Sequence, residues 1–266
     1  VSAFVINSYA FGGEDPDAKA YLDAVETADT QALEAAVRKA VDDFVKGCKA
    51  DGIWSAITAS CILAGARTLA GALTPLVGPA PTNVSSNFVS GDYNRETGLI
   101  GDGSTKYLNS NKAGDSEALN SYHMAAWQTV ADTRGTGVTT SLLGDTSGAA
   151  VEATILAYTA NAGNAFIGRN RNTNVSTHPS ATRTTLGFFG NSRSVSSEYI
   201  LRGNGTNSTF AIASNSRAPR NVTVFARDGG FLTDARLSFY SIGSAIDLAL
   251  LNTRVGTLMT DIDAAI

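Results

Sequence analysis

The side chains able to do chemistry are few, and their spacing argues against most chemistries. The acids of the central stretch are Asp92, Glu96, Asp102, Asp115, Glu117, Asp132, Asp145, Glu152, Glu198, Asp228 and Asp234. Cleaving a glycosidic bond takes two carboxylates facing each other about 5–9 Å apart. No Glu-x-Asp-x-x-Glu strand occurs to supply such a pair. Several of these acids sit beside Gly, where a short acid caps a turn. His123, His178, Cys48 and Cys61 lack the close ligand spacing of a zinc site. No Gly-x-Ser-x-Gly occurs to present a nucleophile. Gly101-Asp-Gly-Ser-Thr-Lys106 lacks the Gly-x4-Gly-Lys-Ser/Thr spacing of a phosphate loop and opens no helix, so it is expected to be a turn leading into a strand. No catalytic residue, metal site or cofactor is expected, and no binding residue is assigned.

One stretch is chemically unusual. Residues 162–227 carry eight Arg (Arg169, Arg171, Arg183, Arg193, Arg202, Arg217, Arg220 and Arg227) against one acid, Glu198, and ten Asn lie from Asn161 to Asn221. One reading is a patch for an anionic glycan or an acidic protein partner. The other, which is favoured, spends Arg on hydrogen bonds along loops and at subunit contacts, where Arg is generally enriched. Five Asn-x-Ser/Thr sequons, at Asn83, Asn174, Asn204, Asn207 and Asn221, are expected by chance in a chain so rich in these residues.

The elements that must position these groups fall into three zones. Of the 266 residues, 43% are hydrophobic, enough for a core, and 17% are charged. That charge share is below the roughly 25% of ordinary soluble domains. A net charge of −4 argues against a nucleic-acid partner. Val1-Ser-Ala-Phe-Val-Ile-Asn7 has neither the basic start nor the apolar core of a signal peptide. The charge-free run Ile53–Ala66 is 14 residues long, short of the ~20 that span a bilayer. Membrane insertion is therefore not expected.

Residues 1–82 form the first zone, with helices expected over about 14–73 and a linker at Pro75, Pro79 and Pro81. Asp15-Pro16 starts one helix. Asp29-Thr30 offers an N-cap for a second, in which Leu33, Val37, Ala40, Phe44 and Cys48 repeat at helical steps to Asp51-Gly52. A third, buried helix is expected from Ile53 to Gly65, and a short one from Arg67 to Leu73. Cys48 and Cys61 are expected to be small core residues, although a disulfide stays open without geometry. Residues 83–243 alternate short β-branched and apolar runs with Gly, Asn, Ser and Asp clusters, which predicts about eleven strands of an antiparallel sandwich or jelly roll. Trp127, Phe188, Phe225 and Phe239 are expected between its sheets. Residues 244–266 form a last helix in which Leu248, Leu251, Val255, Leu258, Ile262 and Ala265 step three and four apart. This pattern suits either packing on the N-terminal helices or a seam for self-association.

Three stretches together resemble a known family. They are Ala50–Leu73; Phe88–Leu108, with its Gly101-Asp-Gly-Ser-Thr-Lys-Tyr-Leu108 opening; and Ala235–Leu251, with Phe239-Tyr-Ser-Ile-Gly243. They look like proteins of tailed bacteriophages and prophages, over about residues 15 to 266. The Gly101–Leu108 opening and the Tyr122-His-Met-Ala-Ala-Trp127 strand resemble the start of a concanavalin A-like, or laminin-G-like, jelly roll. The resemblance implies an α+β fold: a helical module, an antiparallel β-sandwich and a C-terminal helix. It also implies a non-enzymatic virion structural protein: a head fibre, capsid decoration or tail-fibre component touching capsid or tail proteins. The alternative is a carbohydrate-binding module that recognises host glycan on the same particle. A homo-oligomer, most simply a trimer, is expected from the low charge, the helical seam and the contrast between acidic and Arg-rich zones.

Overall fold

The computed structural model describes residues 13–135, 137–145, 153–160, 164–217 and 219–266. The expectations for Val1–Asn7, Glu152 and Asn161 fall outside them. Helices α1 (Pro16–Asp29) and α2 (Ala35–Ala50) lead into strand β1 (Ile57–Ile62) and the one-turn helix α3 (Leu69–Ala72). Strands β2 (Thr82–Asn83), β3 (Tyr93–Asn94), β4 (Gly98–Ile100), β5 (Leu108–Ala113), β6 (Tyr122–Val130), β7 (Thr140–Gly144) and β8 (Ala153–Tyr158) follow. Next come β9 (Ala165–Asn172), β10 (Ser176–Thr182), β11 (Gly187–Arg193), β12 (Tyr199–Gly203), β13 (Thr206–Phe210), β14 (Asn221–Val224), β15 (Arg236–Gly243) and α4 (Leu248–Ala265).

The fold is α+β in three layers: helices, an eight-stranded sheet and a seven-stranded sheet. The first sheet runs β13-β12-β11-β6-β15-β4-β3, with β1 also paired to β15. The second runs β10-β9-β8-β7-β14-β5-β2. All the pairings are antiparallel. Side chains alternate between the faces of a strand. In the middle layer both faces are therefore buried. Leu237, Tyr240, Met124 and Phe189 enter the sandwich core, while Ala125, Phe188 and Phe239 meet α2 and α4.

That double burial accounts for two departures from expectation. Ile53–Gly65 is not a helix: Trp54–Ala56 makes a single 3-10 turn and Ile57–Ile62 is β1. A run apolar on all sides fits a strand covered on both faces as well as a buried helix. Ala59 and Cys61 point into the sandwich, and Ile57 and Ile62 toward the helices. Of the four aromatics placed between the sheets, Phe225 is there, 5.1 Å from Phe88 between ring centres. Phe188 and Phe239 instead face the helical layer, where Phe44 meets Phe239 edge-on. Trp127 lies half-buried on that same side, against Gly256 of α4.

Helix ends also differ from the sequence reading. Asp15 caps α1 through the Asp17 amide, as expected. Asp29 caps nothing in α2, which begins later. Its carboxylate instead accepts from Arg67 N (2.7 Å), Thr68 N (2.9 Å) and Thr68 Oγ1 (2.6 Å), tying α1 to the start of α3. The stepped residues Leu248, Leu251, Val255, Leu258 and Ile262 of α4 are buried within the chain's own helical core. The seam is thus occupied intramolecularly. Arg254 fastens it with two bonds to Asp51, of 2.7 and 2.8 Å.

Candidate functional site

Most acids of the sandwich serve local structure. Asp102 accepts from Ser104 N, Thr105 N, Lys106 N and Thr105 Oγ1, which makes Gly101–Lys106 the expected turn. Burial pushes its pKa up, but the Thr105 hydroxyl and these amides outweigh that and hold it well below the usual carboxylate range. Glu117 accepts from Thr58 and Ser244, and Asp132 pairs with Arg183 in the interior. His123 sits on β6 between the Ser244 carbonyl (2.5 Å) and Ser241 Oγ (2.7 Å). His178 lies beside Phe166, where its Nδ1 accepts from the amide of Ala181. Cys48 and Cys61 are free, buried thiols in different core clusters, and burial pushes each up to about 12. Among the described residues no three His, Cys, Asp or Glu side chains gather as metal ligands. Glu198 and Asp247 do line one cleft of about 390 Å³, with Tyr199, Asn207 and Leu248. Asp247, however, is committed as the N-cap of α4.

The Arg-rich stretch divides into two kinds of arginine. Arg171, Arg183 and Arg193 are buried and well partnered. Arg193 donates to the carbonyls of Asn170, Val195, Ser196, Glu198 and Ile212, clamping the loop after β11. Arg171 donates to those of Gly114, Glu117 and Ala118, and stacks 4.1 Å over Tyr122. Arg183 reaches Asp132 at 2.7 Å. Arg202 bonds to Asn207 and Arg220 to Asp228, while Arg217 donates to the carbonyls of Asp115 and Glu117. For these arginines the reading as hydrogen-bond donors along loops holds.

Arg169 and Arg227 are different. Neither guanidinium makes a hydrogen bond or ion pair among the described residues, and Nε of both and Nη1 of Arg169 are buried without a partner. Arg227 is only 8% exposed. Burial pulls both pKa values down, and for Arg227 the nearby Arg169 charge adds to the effect. Strand register explains how they meet. Arg169, Ile155, Gly144, Thr223, Asn109 and Thr82 are successive cross-strand partners on β9, β8, β7, β14, β5 and β2. This row lies on the outer face. Leu156, Leu143, Val222 and Leu108 beside it point into the sandwich, whereas Ile155, Ala157 and Ile167 form a separate cluster. Gly144 leaves a gap in the row that the Arg227 stem fills. A Cβ there would stand 2.7 Å from Arg227 Cγ.

The turn carrying Arg227 is strained and heavily tied down. Phe225, Asp228, Gly229 and Phe231 all have positive φ, at 68°, 48°, 72° and 54°. For a bulky Phe this region costs about 1–3 kcal/mol and persists only where the surroundings enforce it. Arg227 and Gly230 exchange backbone bonds, Thr223 Oγ1 accepts from Asp228 N, and Arg220 pairs with Asp228. The result holds the Arg227 guanidinium 3.8 Å from the centre of the Phe231 ring, which is itself 41% exposed. A stacked aromatic beside two cations with free donors can bind a flat polar ligand. Phe231 was not singled out in the sequence. Its signal was Asp228-Gly229-Gly230, a turn-forming run next to an Arg and a Phe.

No protein-family model matches the chain, and no curated protein matches it. Solved structures do. The carbohydrate-binding module CBM40 of the Ruminococcus gnavus IT-sialidase, bound to alpha2,3 sialyllactose, is 16% identical, with 51% of this chain and 83% of that one covered and a TM-score of 0.38. Domain 4 of AbnA, an extracellular arabinanase from Geobacillus stearothermophilus in complex with arabinotriose, is 11% identical, with 58% and 74% covered and a TM-score of 0.41. The Trypanosoma rangeli sialidase is 12% identical, with 78% and 33% covered and a TM-score of 0.45. These are neighbours of β-sandwich type. At such identities and scores their ligands and activities carry no argument about this chain.

Proposed function

We propose that this chain is a non-enzymatic glycan-binding module borne on a tailed-phage particle. The observation that carries the binding half is the Arg169–Thr82 row of the seven-stranded sheet, topped by the strained turn with its half-exposed Phe231. The helices pack on the other sheet, so no helix of the core layer competes for this face. Glycan sites of this kind combine an aromatic platform with a few fixed polar groups. The virion half rests on the sequence resemblance, with capsid or tail proteins and further copies of the chain, as a trimer, for partners. Two measurements test the proposal together: a glycan array probed with the intact chain, and its location on purified particles by electron microscopy. Binding to at least one glycan class and attachment to the particle are expected. Attachment with no glycan or cell binding would leave a purely structural role. Incubation with host polysaccharide should release no new reducing ends.

A further inference from the structure

We propose that Arg169 and Arg227 are the anion-recognising part of that face, and that its ligand is an acidic sugar, a saccharide ring bearing one carboxylate. This rests on the glycan-binding reading. Buried guanidinium groups elsewhere in the described structure each have partners: Arg171, Arg183 and Arg193 donate to carbonyls or a carboxylate, with only Nε of Arg171 and of Arg183 left over. Arg169 and Arg227 are held together on one face with none of theirs spent within the described structure. Burying an unpaired charge is costly, and two like charges side by side add to the cost. A carboxylate between them removes both penalties and matches the planar guanidinium fork. Two unpartnered cations, with the nearby Arg220 already paired to Asp228, suit a singly charged group better than a polyanion. The exposed Phe231 ring beside Arg227 suits the face of a sugar ring.

The test follows the arginine side-chain N–H resonances of the intact, isotope-labelled chain near pH 7. The probes are methyl glucuronide and methyl galacturonide, their neutral counterparts methyl glucoside and methyl galactoside, and acetate and inorganic phosphate as anions without a sugar. A uronide is expected to shift Arg169 and Arg227 saturably, with affinity at least about tenfold above its neutral counterpart and above either simple anion. Arg227→Met and Arg169→Met should each weaken that binding about tenfold or more, while Lys39→Gln, the same charge change on the exposed side of α2, should not. Neutral and acidic sugars binding equally, with both arginines silent, would overturn the inference and leave the glycan reading standing. Acetate or phosphate matching the uronides would reduce the site to a simple anion site and overturn it too. If no sugar shifted any resonance and the glycan array were also blank, the glycan reading itself would fall.

Discussion

At the scale of single residues, burial rather than reactivity decides most of what the titratable groups do. His123 is enclosed, and burial, only partly offset by the Ser244 carbonyl, pulls it down to about 4. An unfolded histidine titrates near 6.5. Between these values the unfolded chain binds more protons, so this group makes stability rise with pH from about 4 to about 6.5. The rise is at most about 3 kcal/mol, and the contribution is lost as the solution is acidified through that window. Urea unfolding of wild type and His123→Gln at both ends of the window should show the variant's curve flattened by part of that amount. Parallel curves would contradict the assignment. Arg183→Met should cost about 3–5 kcal/mol, because it strands the buried Asp132 carboxylate. A loss under about 1 kcal/mol would mean that the pair adds nothing. The sequence showed that the Arg-rich stretch was unusual and offered both readings of it. It could not sort one arginine from another, because sorting depends on which carbonyls the loops after β11 and β5 bring within reach. Arg169 and Arg227, 58 positions apart in the chain, become neighbours only through the register of four strands and the empty place at Gly144.

At the scale of elements, periodicity was most informative where an element had one wet face. Helices α1, α2 and α4 each keep a polar side, and their apolar stripes announced them. The long strands β6, β8 and β15 were legible from β-branched and aromatic runs between turns. β1 was not, because helix and strand look alike when every side is apolar. Strand β10 is hard to read from sequence because it holds Pro179, which the edge of a sheet tolerates. Helix α4 gives an element-scale prediction. Its Leu251 is buried in the chain's own helical core, so Leu251→Ala should lower unfolding free energy by about 2–5 kcal/mol. Changed oligomer mass with unchanged stability would instead restore the helix as an intermolecular seam. Gly144→Ala is the matching prediction for the candidate site. The added methyl would stand 2.7 Å from Arg227 Cγ and 3.0 Å from its Cβ, at the root of a side chain on the tied-down turn, so ligand binding and the thermal midpoint should both fall. An unchanged midpoint with unchanged binding would contradict the close packing at Gly144.

At the scale of the whole molecule, one sheet serves the fold and the other serves the surface. The eight-stranded sheet is buried between helices and sandwich core, and its polar groups are turned inward to His123, Gln128 and Asn191. The outer face of the seven-stranded sheet holds the strained turn and the two unpartnered arginines. A trimer, as proposed for the particle, has to assemble through surfaces other than the α4 seam. Light scattering of the intact chain should then report about three times 27.5 kDa, and a monomer at micromolar concentration would contradict that part. The proposed glycan-binding face is the one topped by Phe231, and it is tested by binding of wild type and Phe231→Ala, side by side, to the same glycan array. Saturable binding by wild type and a loss of about tenfold or more, roughly 1.4 kcal/mol, in the variant are expected. Equal binding by the two proteins, or none by wild type, would contradict the proposal.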